Sequence, residues 1–579
     1  MPEGTRTRRD LLAGAAGAAA ASSAGCLSRL RSRIAYDAAE QVSLTLKTVP
    51  ADRDPESILL GRELRDNLSA VGVDASLQLM DETQLLRDAF INHDYDLFVT
   101  EVPGHTDPDE LRTFLHSQYA QEVGQQNPFG FSSAATDTLL EEQAQPSRTN
   151  RADIVSDLLQ QVLHEQPFVV IATRRRTTAL APDLRLGAGV GFGSTLSYLL
   201  LDSEQRDLET LDVGLQRQNV AENRNVLAID YRLHDNLTDL CYDPLVRHLR
   251  DGYVPWLASE YSLDLGPGVA TVHLRPGLTW HDGEPLTVED VAFTYRFLRD
   301  TSLGALDSPV PAPRFRQQSS LVEEVSVEDE RTVSIQLATT RSDLAPSALT
   351  VPILPEHEWR SRSAREHAYF TEAIVESVEN PVGSGPLRFE SSETDTAVTF
   401  RRFEDHFLGN IEDPPQALEP FVDMPAYREL SAETAPNVGV VLEDIANGGV
   451  DVLDGNVPIG NVEEARDRSR IQLVETESPS YYLLGINARR YPLSNYAFRA
   501  ALSRLLDREA LVETVFDGLA RPTETPLHDS RYVDEELRWD GESETGPFPG
   551  EDGELDEDAA RDVFREAGFR YHEGTLRKR

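Results

Sequence analysis

Cysteine is nearly missing from this sequence. Cys26 and Cys241 are the only two in 579 residues, which excludes a secreted domain stapled by disulfides. Lysine is as rare: of the 55 basic residues only Lys47 and Lys578 are lysines, and the rest are arginine. Positive charge as a whole is short. Against 99 acidic residues it leaves a formal net charge of -44 and a pI near 4.6. Such a field repels phosphate and excludes a nucleic-acid partner. Long hydrophobic runs are missing too. The Ala- and Gly-rich stretch ending at Ala21 falls far short of the roughly 20 apolar residues of a spanning helix. Reactive motifs are also lacking. Glu165, Glu358 and Glu573 each follow a histidine, but no second histidine completes a zinc-protease motif. There is no Cys-x-x-Cys, no calcium-loop spacing and no Gly-x-Ser-x-Gly. Gly187, Gly189, Gly191 and Gly193 are not followed by Gly-Lys-Ser/Thr, so a P-loop is excluded. His281, in Trp280-His281-Asp282-Gly283, reads as part of a tight turn. No catalytic residue, metal or cofactor is therefore expected.

What is present suffices for a folded protein. A 40% hydrophobic content with 21 Phe and 17 Tyr argues against wholesale disorder. The length exceeds one compact core and predicts several lobes. Acid excess with so little lysine is similar to the proteins of extreme halophiles. In molar salt the Debye length shrinks to roughly 3 Å, which screens repulsion between surface carboxylates. Arg8 and Arg9, followed by Leu11 and Leu12, resemble a twin-arginine export signal, and Ser23-Ala24-Gly25-Cys26 resembles a lipobox. Residues 1–26 are then a signal, Cys26 the lipid attachment point and 27–40 a tether at the outer face of the cytoplasmic membrane. One acyl chain holds weakly, so a dialkyl anchor is needed. Cys241 reads as a small buried hydrophobe.

Periodicity predicts an α/β chain. Val42, Leu44 and Leu46 alternate with polar residues as a strand, Leu60, Leu64 and Leu68 recur at helical spacing, and Gly72 stops that helix. Residues 41–100 read β-α-β-α-β, a parallel unit. A helix around Ile154, Leu158 and Val162 precedes a strand Phe168–Ala172. Thr287 and Asp290 form a capping-box pattern ahead of Val291, Tyr295 and Leu298. Ser494 and Asp507 cap two further helices, and 539–558 is an acidic solvated loop.

Leu274 to Tyr295, LRPGLTWHDGEPLTVEDVAFTY, strongly resembles the signature of family 5 extracellular solute-binding proteins, the dipeptide, oligopeptide and nickel receptors of ABC importers. Asn380–Phe389 is similar to the family's Pro-x-Gly-x-Gly-Pro segment. Tyr481 to Leu519, with Asn487, Arg499, Ala500, Asp507 and Arg508, is similar to its Asn-x-Arg … Arg-x-Ala … Asp-Arg region, and 558–569 to its Glu-Ala-Gly-Phe helix. The order of segments departs from the family. The unit containing Tyr95-Asp96-Leu97 normally follows the Glu-Ala-Gly-Phe helix, yet here it occupies 41–100. The stretch to Leu201 resembles the family's C-terminal end, and its beginning resembles what starts near 212. We read this as a circular permutation joined around 203–211; the competing reading is a truncated receptor fused behind a separate fragment.

The resemblance implies a two-lobed, periplasmic-binding-protein-like (type II) fold with a hinge and an inter-lobe cleft. Lobe 1 is expected to hold 104–202 and 212–455, and lobe 2 to hold 41–103 and 456–579, with 203–211 as connector. It implies a monomeric, lipid-anchored, extracellular receptor that passes a small solute, a peptide first, to an ABC permease and ATPase. The alternatives are a sensor domain signalling to another membrane protein, or an enzyme of unknown type. In peptide-binding members an Asp after the Tyr-Asp-Leu strand pairs with the peptide amine. Gly104 stands there here, with Glu101 and Asp107 on either side. Glu101, His105 and Asp107 are expected to face Tyr481, Tyr482 and Asn487 across the cleft. His105 alone does not make a nickel site.

Overall fold

A computed structural model describes residues 40–578, except 106, 146–149, 188–189, 193, 217–218, 230–236, 250–251, 366–369, 395, 412 and 529. Arg8, Arg9, Cys26 and Arg579 lie outside the described residues.

The alternating apolar pattern at the start becomes β1 (Ser43–Thr48), followed by helix Pro55–Ala70, β2 (Asp74–Leu79) and β3 (Leu97–Val102). These three strands are parallel, as their β-α-β pattern demands. β4 (Phe168–Arg174), β16 (Tyr481–Ile486) and β17 (Ala520–Pro522) complete a six-stranded sheet, ordered β2-β1-β3-β16-β4-β17. β16 is buried at all six positions, because helices cover both faces of the sheet. Leu64, Leu68, Phe498 and Phe564 fill one face; Leu111, Phe114, Leu140, Leu158 and Val162 fill the other with Tyr481 and Leu483.

The second sheet has seven strands: β5 (Arg176–Leu180), β6 (Thr210–Leu215), β11 (Leu387–Glu393), β12 (Ala397–Arg402), β13 (Glu429–Thr434), β14 (Val452–Asp454) and β15 (Gln472–Thr476). Their order is β11-β12-β13-β6-β14-β5-β15. One face carries helix Val438–Asn447. The other shares a core with a four-stranded antiparallel sheet of β7 (Ala258–Asp264), β8 (Val269–Leu274), β9 (Val322–Val327) and β10 (Thr332–Leu337). Helix Val288–Arg299 packs into that core, and Thr287 and Asp290 close its reciprocal cap as the spacing predicts. The next cap differs by one residue: Asn495, not Ser494, accepts at the start of helix Tyr496–Ser503.

The chain crosses between the two large sheets twice, from β4 to β5 at 174–176 and from β15 to β16 at 477–480. The sheets therefore divide the chain into 40–174 with 480–578, and 176–476. This corrects two expected boundaries. Residues 104–174 belong with the six-stranded sheet, since their helices bury Leu111, Leu140 and Leu158 beside Tyr481. Residues 456–476 belong with the seven-stranded sheet, where β15 pairs with β5. At the edge beside β1, Val42 N donates to Leu576 O at 2.9 Å and Lys578 N to Glu40 O at 2.8 Å.

The signature segments hold one another. His281 Nε2 donates to Gly385 O at 2.9 Å and Nδ1 accepts from Gly383 N at 3.3 Å. Burial pushes this imidazole down to about 4. Gly383 and Gly385 press on the 240–241 backbone so closely that a Cβ would come within 1.9 Å of Cys241 O and 2.2 Å of Leu240 O. Asn487 donates to His93 O and Tyr95 O, Arg499 to Glu165 O and Gln166 O, and Arg508 to Val170 O. These motif residues satisfy backbone carbonyls of neighbouring segments.

Candidate functional site

In α/β sheets, ligands settle outside the carboxyl ends of parallel strands, where the chain switches direction. Two such ends meet at the seam between the lobes. β3 runs out into Pro103 and Gly104, and β14 ends at Asp454. A cavity of about 260 Å³ lies between them, walled by Pro103, Gly104, Arg176, Tyr198, Asp454 and Ser480 among others. A second cavity of about 240 Å³ lies against the same Pro103 and Gly104, walled also by His105, Glu110, Phe114 and Gln318. Each takes residues from both lobes, and the first also touches both crossing segments, so each changes shape if the lobes move. Gly104 is fixed by sterics: a Cβ there would lie 1.7 Å from Pro479 O. No anchoring side chain fits at that place.

The expected site residues separate. His105 lines the 240 Å³ cavity, with Nδ1 3.6 Å from Glu110 Oε2 and its ring 4.7 Å from that of Phe114. The Tyr481 ring is 6.4 Å from His105, and among the described residues the Tyr481 hydroxyl and His105 Nε2 are buried without a hydrogen-bond partner. Burial, with the Glu110 carboxylate adding to it, pushes the Tyr481 phenol up. Asp107 is already neutralised, 2.8 Å from Arg151 and 3.4 Å from Arg341.

The remaining three are corrections. Glu101 and Tyr482 are direct partners on adjacent strands β3 and β16, as are Val102 and Tyr481. The two sets therefore lie side by side in one sheet and do not face each other across a cleft. Tyr482 packs its ring 4.9 Å from Phe516 inside the core. Asn487 is fully buried and spends its amide on backbone carbonyls. Neither Glu101, Tyr482 nor Asn487 lines either cavity.

Sequence reasoning missed Arg176, Tyr198, Asp454 and Gln318, all from the other lobe. The available signal was position: Arg176 opens a strand and Asp454 closes one. Asp454 accepts from the Tyr198 hydroxyl at 2.7 Å. Burial first, and then the Asp454 charge, keep that phenol protonated.

Charge also crosses the seam. Arg341, 4% exposed, reaches Asp343 at 2.7 Å in its own lobe, and Asp107 at 3.4 Å and Asp109 at 3.8 Å in the other. Arg316 holds Glu122 through two bonds of 2.7 and 3.0 Å. Beside the hinge, Arg174 lies 3.3 Å from Glu56, whose carboxylate also accepts from Ile459 N at 2.8 Å. Burial raises the Glu56 carboxyl against the pull of Arg174.

A larger cavity, about 1490 Å³, lies elsewhere, between the signature turn and the ends of β11 and β12. All its walls come from one lobe, so lobe motion does not gate it. Several of its arginines are paired: Arg401 with Glu429, Arg402 with Glu404 and Arg428 with Glu209. Asp282, His357 and Glu358 group as metal donors on the surface of the same lobe, and none of them lines either seam cavity. Among the described residues, no helix is long and apolar enough to cross a membrane.

Two α/β lobes, two crossings and a crevice at strand ends define the solute-binding class of protein. Residues 252–578 match the model of "Bacterial extracellular solute-binding proteins, family 5 Middle", and the chain belongs to that family. Its relatives include the oligopeptide-binding protein AppA of Bacillus subtilis (strain 168), 24% identical over 277 residues, covering 46% of this chain and 45% of that protein. The glutathione-binding protein GsiB of Pectobacterium atrosepticum is 23% identical over 317 residues, covering 54% and 52%. The chain spans about half the length of the curated relatives it matches. The solved structure of Bacillus subtilis AppA in complex with a nonapeptide is 19% identical, with a TM-score of 0.46, covering 64% of this chain and 66% of that one.

Proposed function

We propose that this protein is a lipid-anchored extracellular receptor of an ABC importer. It takes a peptide or similar small organic solute into the crevice between its lobes and presents it to a permease and ATPase. The role is binding without catalysis. The observation that carries this reading is the cavity between the carboxyl ends of β3 and β14, with its neighbour beside the end of β3, both walled by both lobes. Family membership and relatives described as oligopeptide- and glutathione-binding support the solute class. Twin-arginine export through Arg8 and Arg9, lipidation of Cys26 and a high-salt habitat rest on the leader and the charge of -44.

The experiment is a thermal-shift screen in multi-molar KCl against pools of peptides, oligosaccharides and nickel. A native-state ligand at 100 times its Kd adds about 2.7 kcal/mol, so a peptide pool is expected to raise the unfolding midpoint clearly. Stabilisation by sugar or nickel alone would overturn the peptide assignment. No shift with any pool would overturn the receptor reading.

We further propose that the chain is a circular permutant of its family, with the two parts of the six-stranded lobe meeting where 40–42 run beside 576–578. The old termini are joined between Ser203, which ends the strand Leu201–Ser203, and Thr210, which begins β6. A variant chain opened between those residues and linked from Lys578 to Glu40 is expected to keep the wild-type fold and unfolding midpoint, because nearby surface ends tolerate rejoining. Loss of cooperative unfolding in that variant would defeat the permutation.

A further inference from the structure

Arg176 opens β5 at the first crossing and lines the 260 Å³ cavity. Its neighbours along the seam are all engaged. Arg174 holds Glu56, Arg175 holds Glu477 at 2.6 Å, Arg314 holds Asp239 at 2.6 Å, and Arg316 and Arg341 hold carboxylates already described. Arg176 is different. Among the described residues it meets no carboxylate within ion-pair distance and makes no side-chain hydrogen bond, although it is half-buried. In a chain with 99 acidic residues, leaving a cleft arginine without one is a marked allocation.

Of the two acids that share the cavity, Glu477 is held by arginines outside it, and Asp454 keeps its charge but is engaged by a phenol and lies beyond ion-pair distance of Arg176. Asp454 accepts the Tyr198 hydroxyl, and Glu477 lies 2.6 Å from Arg175 and 3.6 Å from Arg521. The rest of the wall is uncharged, with Thr195, Ser478 and Ser480 beside Phe192. A half-buried guanidinium is costly to desolvate without a partner, and its planar fork matches a carboxylate through two parallel hydrogen bonds. We propose that Arg176 anchors a carboxylate of the bound solute, which rests on the receptor reading above. The anchor also answers the global charge. A net charge of -44 repels anionic solutes, but molar salt screens that repulsion beyond roughly 3 Å, whereas direct contact in a crevice is screened far less.

The test uses the full chain, wild type and Arg176→Gln, and two probes. One is a pool of di- and tripeptides made without Asp or Glu, with free C-termini; the other is the same pool amidated at the C-terminus. For the wild type, the free-acid pool is expected to bind about 10- to 100-fold tighter than the amidated pool. In Arg176→Gln the two should bind alike. Because Arg176 holds no carboxylate among the described residues, its replacement should leave the ligand-free unfolding midpoint unchanged. A lowered midpoint would assign it a structural role and overturn the anchor. Equal binding of both pools by the wild type, or an advantage that persists in Arg176→Gln, would overturn the anchor and leave the receptor reading standing. No stabilisation of the wild type by either pool would remove both.

Discussion

Asp243→Asn is expected to cost about 3–5 kcal/mol of stability, the loss seen when one member of a buried charge group is removed. Asp243 is fully buried and accepts from Trp256 Nε1 at 2.6 Å and His406 Nε2 at 2.9 Å, with Arg247 Nη2 3.1 Å away. Asparagine keeps an acceptor but leaves the Arg247 guanidinium without a buried counter-charge. Burial alone would raise the Asp243 carboxyl; His406, Arg247 and the Trp256 hydrogen bond outweigh it and hold it below the usual range. The folded value is depressed, so the stabilisation is fully present above the unfolded value of about 3.9 and is lost as pH falls through the folded one. Denaturant unfolding of both proteins at neutral and acid pH checks this. The variant should start weaker and lose less on acidification. A variant as stable as the wild type at neutral pH would sink the argument.

Arg341→Met is expected to loosen the lobe seam. Arg341 is 4% exposed and faces Asp109, 1% exposed, and Asp107, 29% exposed, in the other lobe. Removing the cation leaves carboxylates crowded at a closed interface, at a cost of about 3 kcal/mol to the closed arrangement. Opening rehydrates them, so the population shifts toward separated lobes. Solution scattering should show a larger radius of gyration than for the wild type. Adding Asp107→Asn should recover part of the change, because the two residues share one interaction. Burial also makes the effect persist in molar salt, where a surface pair would fade. Unchanged scattering would show that the network does not hold the seam.

Much of the fold was legible in the sequence because periodicity is local. The alternation at Val42, Leu44 and Leu46 and the 3.6-residue recurrence of Leu60, Leu64 and Leu68 each need only one element's geometry. The same holds for the Thr287–Asp290 cap and the turn at His281, whose chemistry is settled within a few residues. The site was read less well. His105 lines a cavity between the lobes, while Tyr482 and Asn487, also expected at the cleft, lie in the core and in a backbone clamp. An alternating or apolar strand shows that two faces exist, but not which strand lies beside it.

Composition and periodicity by themselves determined an acidic α/β chain, and the segments around Trp280 and Asn487 carried its resemblance to the family 5 solute-binding type. Only tertiary structure decided that β4 sits beside β16 and β15 beside β5. That pairing moved residues 104–174 into one lobe and 456–476 into the other. It also brought Arg176, Tyr198 and Asp454 to the crevice beside Gly104. The physical reason is that strand pairing joins residues hundreds of positions apart through backbone hydrogen bonds, which carry no side-chain signature in either segment alone.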